Sequence, residues 1–144
     1  MGRNRGSSSA HDLVRCFDQP PGTKVILPKA LNIAGRTFLS LKILREFRTK
    51  SRARLVQMEP GPVLFVVKFE NLSQEYAVMA ALRQVNRLWQ KSNLRVGQEP
   101  VQAQTFGIFP LASNLGFVEV VSESRTLREL SEGVPFNERQ WRVL

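Results

Sequence analysis

The chain has 144 residues and a formal net charge of +9, with one histidine, one cysteine and 12 acidic residues. Its length suits one domain with a real core, and 42% hydrophobic against 23% charged residues is the balance of a globular chain rather than a disordered one. His11, Asp12 and Asp18 are the only histidine and aspartates, so a zinc site, a Ser-His-Asp triad or a Cys-His pair lacks the residues it needs.

Lone Cys16 excludes an internal disulfide and suits a reducing compartment. No apolar run approaches the ~20 residues of a membrane span, and "MGRNRGSSSA" has no apolar core of a secretory signal. A cytoplasmic or nuclear location is the expectation. The cations, mostly arginine, permit acidic partners such as nucleic acid, phosphoinositide or nucleotide without choosing among them.

Residues 1–10 show no apolar period, and "HDLVRCFD" (11–18) allows one or two helical turns before "QPPG" breaks the chain. Residues 1–22 are therefore expected to be a disordered or weakly structured basic segment. "TKVILP" (23–28) reads as a short strand, "RTFLSLKILREF" (36–47) and "RARLVQME" (52–59) as two more. After the turn "PGP" (60–62), "VLFVVKF" (63–69) is a Val- and Phe-rich strand.

Residues 73–92 predict a long helix. Val78, Leu82, Val85 and Trp89 step by three or four and are expected to face the sheet, widened by Ala81 and Leu88. Ser73 suits the N-cap, with Glu75 in the first turn and Lys91 in the last. Residues 93–100 read as a loop, and 101–110 and 115–121 as strands joined by the turn "LASN". Thr126 and Glu129 make a capping box that opens a short final helix. The fold class is α+β, an antiparallel sheet of about five strands with one long packed helix over 23–135, followed by a tail at 136–144.

The words "LFVVKFENLSQEYAVMAALRQVNRLW" and "TFGIFPLASNLGFVEVVSESRTLREL" carry a resemblance. Residues about 42–130 resemble the N-terminal lobe of the phosphatidylinositol 3-/4-kinase superfamily, which includes the related protein kinases. The second stretch is the more specific match. "FENLSQE" lacks the family's Gly, Asp pair and Arg, and is one residue shorter.

The resemblance implies an ATP site. Lys68 matches the lysine on the phosphates, and Glu75 the helix acid that orients it. Glu119 and Val121 match hinge positions whose backbone binds the adenine edge. Val66, Phe106, Val118 and Val120 match the apolar walls around the purine. Ser51, with Arg52 and Arg54, falls near the phosphate loop. The family's D-R-H-x-x-N and D-F-G motifs are absent, and no Asp lies beyond residue 18. Phosphoryl transfer needs the groups those motifs supply, so the expectation is a partial kinase-like domain without turnover and without a metal site.

Each of these residues also has an ordinary reading: a strand-end lysine in water, a first-turn helix acid, plain core residues. "REFRTKSRAR" (45–54) is also what a solvated, charge-protected sheet edge looks like. Two other classes stay open. One is an interaction module or pseudokinase-like scaffold, whose protein partner covers an apolar hinge face. The other is a small basic nucleic-acid-binding protein, although exposed paired aromatics and a helix-turn-helix signature are missing.

Overall fold

The computed structural model describes residues 7–121, 123 and 124. Among them are two helices, a six-stranded antiparallel sheet and a small hairpin. In chain order these are α1 (Ser7–Phe17), β1 (Lys24–Ile33), β2 (Arg36–Glu46), β3 (Arg54–Glu59), β4 (Val63–Lys68), α2 (Ser73–Lys91), β5 (Arg95–Val96), β6 (Glu99–Pro100), β7 (Ile108–Ala112) and β8 (Leu115–Glu119). The sheet order is β1-β2-β3-β4-β8-β7. Strand β8 thus inserts between β4 and β7, so two stretches about fifty residues apart lie side by side.

Alternation along the strands assigns the two faces. Phe65 and Val67 of β4, Val56 and Met58 of β3, and Leu41 and Ile43 of β2 are buried on the inner face. Four phenylalanines knit that core: Phe65 meets Phe38 at 6.1 Å, Phe109 at 6.0 Å and Phe117 at 5.5 Å between ring centroids. The opposite face carries Leu55, Leu64, Val66, Lys68 and Val118, none of them fully buried.

The N-terminal segment departs from its reading as weakly structured. Residues 7–17 form a helix, and Phe17 is completely buried, edge-on to Phe117 at 5.0 Å. Leu13, Val14 and Phe17 share one helix face by their i, i+1, i+4 spacing, and the first two are half-buried against the same core. Packing on the sheet stabilises a helix too short to persist alone. Burial pushes the Cys16 thiol up, and Asp12 adds to the effect, so it stays protonated and unreactive at neutral pH.

Strand β1 runs five residues past Pro28. It is an edge strand, where proline's missing N–H is tolerated, and the register shifts between Ile26 and Leu31. A two-residue Ala34-Gly35 turn then closes the β1–β2 hairpin with both φ values positive, at 52° and 78°. Gly35 takes that conformation freely, and its N–H donates to Asn32 Oδ1. Residues 93–100, read as a loop, contain the β5–β6 hairpin.

Strand β7 begins only at Ile108, whereas the composition of 101–110 suggests a strand throughout. Residues 101–107 instead run along α2. Asn86 both donates to Ala103 O and accepts from Ala103 N–H at 2.8 Å, and Arg83 donates to Phe106 O. Side chains of the helix thus satisfy backbone groups that a sheet ladder would otherwise pair.

Helix α2 matches the expected span, but its N-cap position is Leu72, and Ser73 N–H donates to Asn71 Oδ1. The expected packing also differs. Leu82, Val85 and Trp89 are only half-buried, and Val78 is 54% exposed. The helix lies at the β7 edge, against β7 and 101–107, and not across the sheet. The final helix expected from Thr126, and the tail 136–144, fall outside the described residues.

Candidate functional site

A recess of about 420 Å³ opens between the outer sheet face and the first turns of α2, within the range of small-molecule sites. Val118 and Ile108, cross-strand partners on β8 and β7, form its floor. Phe106 closes one side. Leu72, Val78 and Met79 of the α2 end form the other, and Lys68, Gln74 and Glu75 supply its polar groups.

Tight packing beneath Lys68 shapes the recess. Lys68 lies opposite Gly116 across the β4–β8 ladder. A Cβ at position 116 would come within 2.9 Å of Leu72 Cγ, and Leu72 is fully buried. Glycine at 116 is therefore what lets the start of α2 settle onto the sheet.

Four residues implied by the kinase resemblance come together here from separate stretches: Lys68, Glu75, Phe106 and Val118. Val66 is the cross-strand partner of Val118, on the same sheet face. Lys68 does not pair with Glu75. Its Nζ sits 3.2 Å from Oε1 of Glu70, two residues along the chain.

The remaining residues lie elsewhere. Val120 is half-buried beyond the end of β8, and Val121 is exposed. The Glu119 N–H donates to Gly107 O at 2.9 Å, and its carboxylate accepts from Gly107 N–H at 2.6 Å. Glu119 thus holds the approach to β7 in place.

Arg54 is not a phosphate ligand in this arrangement. It is 3% exposed, 2.9 Å from Asp18 and 3.0 Å from Glu46, with its guanidinium over the Phe69 ring at 5.7 Å. Arg52 also pairs with Asp18 at 2.7 Å. Three N–H groups of the turn between β2 and β3 bond within it: Thr49 N–H on Phe47 O, Arg52 N–H on Thr49 O, and Ala53 N–H on Thr49 Oγ1. Ser51 Oγ lies 3.4 Å from Thr49 Oγ1. A phosphate cradle needs such N–H groups turned outward.

Leu72, Gln74, Val78, Met79 and Ile108 are additional lining residues. The apolar stripe of α2 did signal Val78, but as a core anchor. Leu72 and Met79 fall off that stripe and reach the recess only because α2 sits at the sheet edge. A second recess of about 330 Å³ lies between the α2 C-terminus and the β5–β6 hairpin. Its Asn86 and Arg95 are committed to Ala103, Asn93 and Gln98.

Among the described residues no group of three or more His, Cys, Asp or Glu side chains could hold a metal ion, and no helix is long and apolar enough to cross a membrane. No protein-family model matches the chain, and no curated protein matches it.

Proposed function

We propose that this chain carries the purine-binding part of a phosphatidylinositol 3-/4-kinase-like ATP site and performs no phosphoryl transfer by itself. One observation supports the reading most: Lys68, Glu75, Phe106 and Val118, implied by the resemblance, line one apolar recess. A flat heteroaromatic ring suits a floor of Val118 and Ile108 walled by Phe106 and Met79. The absence of aspartate beyond residue 18 leaves this chain without the carboxylates that transfer uses on base and metal.

Adenosine should bind with a dissociation constant in the high micromolar range or weaker, about −5 kcal/mol. Amide shifts on titration should center on β4, β8 and the start of α2. Val118→Phe, which fills the floor of the recess, should weaken binding at least about tenfold while the circular dichroism spectrum is kept. Unchanged adenosine binding in that folded variant would sink the reading.

A second reading, an interaction module, draws on one specific observation. Helix α2 has no buried residue, and Tyr76, Val78 and Leu88 stand out to solvent. A protein held on α2 through Leu88 should stay bound as ionic strength rises and be lost with Leu88→Glu. A nucleic acid held by the cations would be released by the same salt.

A further inference from the structure

We propose that Glu70 sets the ligand class of the recess, so that it takes an uncharged purine nucleoside at least as well as the nucleoside triphosphate. The inference rests on the purine reading above and adds its specificity. Among the described residues Lys68 is the one cation lining the recess, and Glu70 holds it at 3.2 Å. Glu75, a second carboxylate, lines the same recess. Lys68 with these two acids carries one positive charge and two negative ones.

A triphosphate reaching for Lys68 must therefore displace Glu70 and then lie beside both carboxylates. Two arginines expected near the phosphate loop are already paired, since Arg52 and Arg54 both hold Asp18. The guanidinium of Arg54 is buried between Asp18 and Glu46, and the N–H groups of Thr49, Arg52 and Ala53 bond within their own turn. A ribose or other neutral group at the mouth meets hydrogen-bonding partners in Gln74, Glu75 and Lys68 without that repulsion.

Lys68 and Glu70 are each about one-third to two-fifths exposed, so water and salt temper the effect. Removing an exposed ion pair and one like charge corresponds to roughly a two- to fivefold change in anion affinity. The test uses the full chain, isotope-labelled, titrated separately with adenosine, ATP and inorganic tripolyphosphate. Amide shifts report binding, and the Lys68 side-chain signal reports contact with phosphate.

Wild-type protein should bind ATP no tighter than adenosine. Glu70→Gln should raise ATP affinity about two- to fivefold and leave adenosine unchanged. It should also let tripolyphosphate shift the Lys68 signal, and Lys68→Ala/Glu70→Gln should lose the gain in ATP affinity. An unchanged ATP-to-adenosine ratio in Glu70→Gln, or wild-type protein that binds ATP tighter than adenosine, would overturn the role of Glu70. Tripolyphosphate separates the two ideas. If adenosine fails to bind while tripolyphosphate reaches Lys68 only in Glu70→Gln, the purine reading falls and Glu70 is still the gatekeeper against anions. If tripolyphosphate treats both proteins alike at Lys68, the Glu70 inference falls whatever adenosine does.

Discussion

Phe17→Ala is expected to cost about 3–5 kcal/mol, a large share of the roughly 5–15 kcal/mol a domain holds. The side chain is completely buried and edge-on to Phe117, whose ring also meets Phe65. Truncation removes the transfer free energy of a whole ring, the favourable aromatic geometry, and leaves a void that the sheet cannot close. Urea unfolding followed by circular dichroism measures it. A loss below about 1 kcal/mol, with an unchanged denaturant slope, would mean that α1 rests loosely on the sheet and that residues 7–17 are dispensable to the core.

Asp18→Asn combined with Glu46→Gln is expected to cost about 3–5 kcal/mol, because it strands the Arg54 guanidinium in the interior. Arg54 is 3% exposed, and among the described residues its Nε has no hydrogen-bond partner even with both acids present. Each acid is itself about two-fifths exposed, so either single substitution should cost less, about 1–2 kcal/mol, while the other acid still pairs. Arg54→Met in the double background should recover part of the loss, since an apolar side chain of similar length removes the buried charge altogether. If the double variant is as stable as the parent, Arg54 reaches water and the cluster is ornamental to the fold. The same experiment bears on the phosphate-loop expectation. An arginine that anchors α1 to the β2–β3 turn is not free to move onto a ligand.

Much of the framework is legible in local patterns. "VLFVVK" alternates its burial as a strand with one wet face, and the stripe of residues 73–91 specifies a helix whichever neighbour it finds. "REFRTKSRAR" shows the opposite case. Its cations look alike in sequence, yet Arg52 is exposed and Arg54 is buried: Arg52 sits in the turn at positive φ, whereas Arg54 opens β3 on its inner face between Asp18 and Glu46. The strand expected over 101–110 fails for a similar reason. Its β-forming composition is outweighed by Asn86 and Arg83, whose hydrogen bonds come from another element.

The candidate site divides along the same line. The resemblance singles out Lys68, Phe106 and Val118, whereas residue type alone gives a strand-end lysine and two apolar residues, because alternation and composition act within a few residues. That Lys68 pairs with Glu70 and not Glu75, and that Leu72 and Met79 complete the recess, depends on α2 lying at the β7 edge. Sequence by itself determined an antiparallel α+β domain with one long amphipathic helix, since hydrophobic period is a local property. Only the tertiary structure decided which face of that helix is covered, which cation is buried and which acid holds the lysine. Those outcomes are set by competition among distant groups for the same few hydrogen bonds and the same apolar surface.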